Sequence, residues 1–163
     1  MLTFVANDEA DTDRLGAALA ETLPEGAVVA LHGTLGAGKT RLVRAIAAAC
    51  GVPAEDVVSP TFVLCQTYHG RRTLHHLDAY RIRDDDEFLD LGPDEYFDSN
   101  AVTFVEWADR VADCLPAERI AITIEVVGPT SRKFTIDAPP ARFAPFLTRL
   151  GKIEAVRQNP VRR

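Results

Sequence analysis

Eight consecutive residues, Gly33-Thr34-Leu35-Gly36-Ala37-Gly38-Lys39-Thr40, fit the pattern G-x-x-x-x-G-K-[ST] in full. The chemistry of that pattern is phosphate capture. Its glycines let the backbone turn tightly enough to aim successive N–H groups at phosphate oxygens. A helix that starts within the motif points the positive end of its dipole at the same place. Lys39 supplies a compact charge for the β- and γ-phosphates, and Thr40 a hydroxyl for Mg²⁺. The chain has three lysines among 18 basic residues, and one of them stands here, where a guanidinium fork would not fit as a point ammonium does. Gly33, Thr34, Leu35, Gly36, Ala37, Gly38, Lys39 and Thr40 are therefore the expected nucleotide-binding residues, with ATP and Mg²⁺ as the expected cofactors.

Such a site also needs a carboxylate at the end of a nearby strand to hold or orient Mg²⁺. Two qualify: Asp78, which ends Leu74-His75-His76-Leu77, and Glu106, which ends Ala101-Val102-Thr103-Phe104-Val105. The second strand is the more apolar and the better match on pattern; which carboxylate acts as base and which as metal ligand stays open. His75 and His76 are adjacent, so on a strand they point to opposite faces, which argues against a zinc clamp built on the pair. Trp107, the single tryptophan, directly follows Glu106. It reads either as core packing or as a flat wall beside the nucleotide.

The phosphate motif requires a strand before it and a helix after it. Ala27–Leu31 is a compact apolar run that reads as a buried strand. Leu42, Val43, Ile46, Ala47 and Cys50 make a helical stripe that stops at Gly51-Val52-Pro53. Around this unit, Leu2–Ala6 predicts an edge strand. Asn7 and Asp8 are candidate caps for a helix carrying Leu15, Ala18, Leu19 and Leu23, which Pro24 and Gly26 end. Phe62–Tyr68 and Arg72–Asp78 read as strands joined by the turn His69-Gly70-Arg71. Residues 84–98 predict one or two short helices interrupted at Gly92-Pro93. Then come a strand at Ala101–Val105, a helix at Trp107–Leu115, a β-pair of Ile120–Val127 with Lys133–Ile136, and a last helix at Ala141–Leu150. In that helix Pro145 is tolerable only within the first turn. Strands alternating with helices predict an α/β, P-loop NTPase-like three-layer fold; the two hairpins make its central β-sheet mixed. Residues 1–154 are expected to form a single P-loop ATPase domain and residues 155–163 a basic, flexible tail.

Composition bounds the function. The 163 residues are 47% apolar and 26% charged, a globular balance, and no run approaches the roughly 18 apolar residues of a membrane span. The first residues lack a basic stretch ahead of an apolar one, so no secretory signal is expected. A net charge of −6 and a pI of about 5.2 argue against coating of DNA or RNA. The charge is uneven: residues 130–163 hold eight Arg and Lys against Asp137 and Glu154, whereas the remainder carries −12. Cys50, Cys65 and Cys114 have neither metal nor disulfide spacing and read as packing residues of a cytoplasmic protein.

Taken in order, Gly33–Thr40, Ser59-Pro60-Thr61-Phe62, His76-Leu77-Asp78-Ala79-Tyr80-Arg81 and Glu106-Trp107 resemble the TsaE family, the P-loop ATPases of bacterial tRNA threonylcarbamoyladenosine (t6A) biosynthesis. The resemblance spans about residues 10–136. It implies that Lys39 and Thr40 contact phosphate and Mg²⁺, and that Glu106 coordinates the metal directly or through water. It implies that Asp78 is the catalytic or water-positioning carboxylate, and that Thr61 lies near the γ-phosphate in a loop sensing nucleotide state. Trp107 would pack close to the nucleotide. The implied partners are TsaB and TsaD, whose complex places the threonylcarbamoyl group on a tRNA adenosine, so that tRNA is reached indirectly. ATP hydrolysis, weak in the chain alone, would reset that complex rather than make the carbamoyl bond. Neither the basic end nor the acidic run Asp84-Asp85-Asp86-Glu87 aligns with a motif of the family. Three other readings compete. A small-molecule P-loop kinase would need an Arg-rich lid, of which Arg81 and Arg83 give a thin version. A GTPase would need Asn-Lys-x-Asp, and none of Asn7, Asn100 and Asn159 precedes a lysine. A scaffold would bind nucleotide without turnover.

Overall fold

Strand β2 (Val28–His32) is apolar on both faces: Val29 and Leu31 enter one core, Val28 and Ala30 the other. Such a strand belongs in the middle of a parallel sheet covered on both sides, and the computed structural model places it there. The structure describes residues 1–60 and 64–158, with side chains as far as Ile153. Among these, β1 (Leu2–Ala6), β3 (Cys65–His69), β4 (Thr73–Asp78), β5 (Val102–Glu106), β6 (Ile120–Val126) and β7 (Arg132–Asp137) join β2 in one sheet of order β1-β7-β6-β2-β5-β4-β3. β2 pairs in parallel with β5 and β6, and β4 in parallel with β5. The β3–β4, β6–β7 and β1–β7 pairs are antiparallel, which makes the sheet mixed, as expected.

Helices α1 (Glu9–Thr22) and α2 (Lys39–Ala49) cover one face of the sheet. On the other lie the short helices α3 (Asp85–Leu89) and α4 (Pro93–Phe97), with the 3-10 segment Ala108–Cys114. Helix α5 (Pro140–Gln158) returns to the first face through Phe143, Phe146 and Leu150. Three layers result. The Asp8 carboxylate caps α1 by accepting from Asp11 N at 2.9 Å, and Asp84, first of the acidic run, caps α3 by accepting from Glu87 N at 2.9 Å. No helix among the described residues is long and apolar enough to cross a membrane. Cys50 is buried, while Cys65 and Cys114 are half-buried against the core, all three as free thiols.

Three elements differ from expectation. Leu64, expected within a strand, takes a left-handed conformation, φ +66°, and turns the chain just before β3 begins at Cys65. Thr61, Phe62 and Val63 lie outside the described residues. The segment after β5 is not an α-helix. Trp107 is left-handed, φ +56°, and the following 3-10 turns break at Val111, φ −130°. The last helix is longer than Ala141–Leu150 and holds Pro145 in its second turn. Loss of that one backbone donor is offset by the burial of Phe143, Phe146 and Leu150 along the same helix. The helical backbone thus runs through residues 155–158, the start of the expected tail; residues 159–163 lie outside the described part.

α1 and α2 approach closely because Gly16 has no side chain: a Cβ there would stand 2.5 Å from Ala45 Cβ and 2.8 Å from its carbonyl carbon. Gly16→Ala should therefore force the helices apart and destabilise the fold by about 1–3 kcal/mol, as overpacking does. In a chain of this size each kcal/mol is worth about 2–4 °C in Tm. An unchanged melting temperature would contradict this packing.

Candidate nucleotide site

Strand register does the positioning. Leu31 of β2 pairs with Glu106 of β5, and Glu106 pairs with Asp78 of β4. Three neighbouring parallel strands therefore end level, bringing Asp78, Glu106 and the loop after β2 to one edge. In open α/β sheets, ligands bind outside such carboxyl ends. Asp78 and Glu106 are each 3% exposed, so two candidate carboxylates far apart in sequence are buried side by side.

The loop Gly33–Gly38 closes with Ala37 N donating to Thr34 O at 3.0 Å. Gly33 is at φ +152° and a Cβ there would lie 2.8 Å from the Ile124 carbonyl oxygen, while Gly38, φ +112°, occupies the N-cap of α2. Side chains fit neither position. A second support comes from β7: Arg132 Nε donates to Ala37 O at 2.9 Å and holds the loop from the side.

Lys39 is 4% exposed. Its Nζ donates to Gly33 O at 2.7 Å and Thr34 O at 3.0 Å, and it sits 3.9 Å from the centroid of the Trp107 ring. Trp107 packs in turn on Tyr80, ring centroids 4.9 Å apart. Burial lowers the pKa of Lys39, and the charges of Glu106, Asp78 and Asp109 partly oppose that shift. Thr40 Oγ1 donates to Glu106 Oε1 at 2.7 Å, and His76 Nε2 meets the same oxygen at 2.7 Å. Asp78 Oδ1 accepts from Tyr80 N at 2.8 Å, and Ser59 Oγ reaches its Oδ2 at 3.4 Å.

This oxygen set fits Mg²⁺. The ion takes hard oxygen ligands, one or two of them protein carboxylates, the rest being phosphate and water. Two oxygens on one edge of its octahedron stand about 2.9 Å apart, from bond lengths of about 2.0–2.1 Å at right angles. Thr40 Oγ1 and Glu106 Oε1 are already at 2.7 Å.

Two cavities meet at the loop. The smaller, about 280 Å³, is lined by Leu35, Gly36, Gly38, Lys39, Thr40, Arg41, Ser59, Asp78, Tyr80, Glu106 and Trp107. The larger, about 630 Å³, is lined by Asp8, Glu9, Thr12, Ala37, Pro129, Arg132 and Phe134 among others, and shares Gly36, Gly38 and Arg41 with the first. The structure thus gathers Leu35, Gly36, Gly38, Lys39, Thr40, Asp78, Glu106 and Trp107 around one space. Gly33 and Thr34 reach it through the carbonyls that hold Lys39, and Ala37 faces the neighbouring space. Thr61 falls outside the described residues. Neither Arg81 nor Arg83 lines either cavity; Arg83 pairs with Glu87 on the surface.

Sequence reasoning missed His76 as a contact of Glu106, Arg132 as a support of the loop, and the larger cavity. His76 was within reach: a strand period of two puts it on the same face as Asp78. It is fully buried, whereas His75, on the opposite face, meets Thr67 Oγ1 at 3.0 Å and the edge of Tyr96. Arg132 and the larger cavity depend on a hairpin nearly a hundred residues from the loop, and no local pattern marks them.

A mixed sheet whose central strand runs into a glycine-rich phosphate loop, with level carboxylates on the adjacent strands, defines a P-loop protein of the α/β class. The family model for the threonylcarbamoyl adenosine biosynthesis protein TsaE matches residues 6–134. The chain is 39% identical over 132 residues to the tRNA threonylcarbamoyladenosine biosynthesis protein TsaE of Treponema pallidum, spanning 81% of this chain and 97% of that one. It is 41% identical over 119 residues to the protein of the same name from Bacillus subtilis, spanning 72% and 73%. The crystal structure of Bacillus subtilis YdiB matches with a TM-score of 0.77 at 30% identity, over 93% and 94% of the two chains. The chain belongs to the TsaE family.

Because Trp107 lies against Lys39, its fluorescence should report an anion arriving at the loop. Titration with Mg·ADP is expected to give a saturable change that Lys39→Ala removes. The pKa of Lys39 is lowered, so its charge is present below that value and lost above it. Affinity should accordingly fall as pH rises, beginning below the 10.5 of an ordinary lysine. Binding that is flat through this range, or unaltered in Lys39→Ala, would place the anion elsewhere.

Proposed function

We propose that this protein binds Mg·ATP at Gly33–Thr40 and hydrolyses it in the cytoplasm as a component of tRNA t6A biosynthesis, acting with the TsaB–TsaD complex. The observation that carries the reading is the pair of buried carboxylates, Asp78 and Glu106, level with each other beside Lys39 and Thr40. Family membership supplies the pathway. The catalytic unit is residues 1–154, and tRNA is met through the complex.

The residues divide the work. Backbone N–H groups of the loop and the first turn of α2 bind the phosphates, and Lys39 exchanges its carbonyl partners for β- and γ-phosphate oxygens. Thr40 and Glu106 would hold Mg²⁺, which would supply positive charge against the negative charge that develops during phosphoryl transfer. Asp78, fixed through Oδ1 by the Tyr80 amide, orients a water for in-line attack and takes its proton as the oxygen bonds to the γ-phosphorus. The bond to the β–γ bridging oxygen breaks, ADP departs with that electron pair, and the proton leaves with phosphate. Trp107 excludes water from one side of the ammonium. Thr61, as the family resemblance implies, senses the γ-phosphate from the Ser59–Phe62 loop, and hydrolysis changes that loop's contacts for the partner to read.

The test combines partners and variants. Adding TsaB and TsaD should raise ATP turnover, with Lys39→Ala losing binding. Asp78→Asn should retain binding while turnover drops by about 10²–10⁴-fold, the usual worth of a general base. Partners that change neither binding nor turnover would refute the role. Asp78→Asn turning over at the wild-type rate would leave a nucleotide-binding scaffold.

A further inference from the structure

Helices α1 and α2 run side by side and end together at the pole of the molecule away from the phosphate loop. The 11 residues of α2 put its last turn about 16 Å from its first. Three arginines gather over these two helix ends. Arg71 Nη2 donates to Ala49 O at 2.6 Å, Arg72 Nη1 to Ala20 O at 3.2 Å, and Arg149 Nη2 to Glu21 O at 3.1 Å. The first two come from the turn between β3 and β4, the third from α5 in the basic C-terminal segment. The turn is pressed onto the end of α2: a Cβ at Gly70 would lie 2.3 Å from Cys50 O, and Arg71 N donates to that oxygen at 2.7 Å. All three arginines line one open cleft of about 600 Å³, with Glu21 and Glu25 also on its wall.

Most other surface cations are matched by a carboxylate: Arg41 by Asp13, Arg83 by Glu87, Lys133 by Glu125 and Arg142 by Glu118. Among the described residues, Arg71, Arg72 and Arg149 have no such ion pair. Each spends one nitrogen on a main-chain carbonyl, which orients the guanidinium without neutralising it. The other donors of each fork have no protein partner among the described residues. A fork ordered before its ligand arrives has less side-chain freedom to lose on binding. Guanidinium forks match phosphate oxygens two at a time. Three of them fixed in one cleft suit a ligand with repeated anionic groups. The chain as a whole carries −6, so a polyanion is repelled elsewhere and its contact is confined to this end. The family acts in tRNA modification, which makes RNA the polyanion at hand.

We propose that Arg71, Arg72 and Arg149 form a docking surface for the phosphodiester backbone of RNA, at the pole opposite the nucleotide site. The complex presents the tRNA, and this face adds direct contacts to its phosphates, which position the RNA without reading its sequence. Glu21 and Glu25 oppose the attraction and keep the binding weak and reversible. The surface is independent of what binds at the phosphate loop.

Fluorescence anisotropy of a labelled tRNA transcript, titrated with the full chain in the presence of Mg·ADP, tests the surface. Affinity should fall as salt rises, with a slope of log K against log salt of about −2 to −3, as for about three neutralised phosphates. Arg71→Ala, Arg72→Ala and Arg149→Ala should each weaken binding and reduce the steepness by about one, while Mg·ADP still moves the Trp107 signal. These arginines also cap helix ends, so Glu25→Gln supplies a reading that leaves them in place. Removing that charge should tighten RNA binding about 2- to 5-fold. No binding at low salt, wild-type affinity when all three arginines are replaced by alanine, or an unmoved affinity in Glu25→Gln overturns the proposal. Displacement of the tRNA by an equal charge of poly-glutamate also overturns it, and assigns the cleft to an acidic protein instead.

Discussion

Buried carboxylates are stable only with partners, and here two of them share one end of a sheet. Each is denied bulk water, so each must find compensating hydrogen bonds and positive charge. Glu106 takes Thr40 and His76; Asp78 takes the Tyr80 amide and Ser59. Lys39 stands near both and its ammonium feels both charges. Taking away one member of such a buried set leaves an uncompensated charge and costs about 3–5 kcal/mol. The parallel pairing of β2, β5 and β4 can therefore be seen as a frame for an electrostatic cluster. A slip of one residue in β4 would turn Asp78 to the opposite face and carry His76 with it.

The two faces of the sheet contribute differently. α1, α2 and α5 cover one face with a continuous core that includes Leu19, Leu42, Ile46 and Phe143, and the close seam at Gly16 fixes α2 against α1. Since α2 begins at the phosphate loop, that packing holds the loop's C-terminal side. The opposite face carries only short helices and 3-10 turns over a smaller core of Phe88, Ala108, Val111 and neighbours. Trp107 and Tyr80 emerge from this side. The more thinly covered face thus lies where the smaller cavity opens.

Much of this was legible in the sequence because it is local. A full phosphate motif between an apolar run and a helical stripe announces itself, and the mixed sheet follows from two short hairpin turns. The level placement of Asp78 and Glu106 was half legible: each ends a strand, but that the strands are neighbours in register is a non-local fact. The run from Trp107 to Leu115 reads as a helix that stops at Pro116, yet a left-handed turn at Trp107 sets its ring over Lys39. Pro145 lies beyond the first turn, where the rule for isolated helices would not tolerate it, because core burial along α5 overrides that rule. Arg132 stayed invisible because its use is set by the β6–β7 hairpin folding over the loop. Single-sequence patterns carry faces and turns; they do not carry which distant element arrives.

Lys39 is already satisfied by two loop carbonyls and an aromatic face. Any anion that recruits it must therefore displace an existing arrangement, and the affinity gained is a difference between two sets of contacts. An anion that engages only the ammonium recovers little more than was given up. One that also spans the backbone donors of the loop and the N-terminus of α2 adds interactions with no competitor inside the protein. The loop's own carbonyls thus act as a threshold, setting long polyphosphates apart from the smaller anions that crowd a cell.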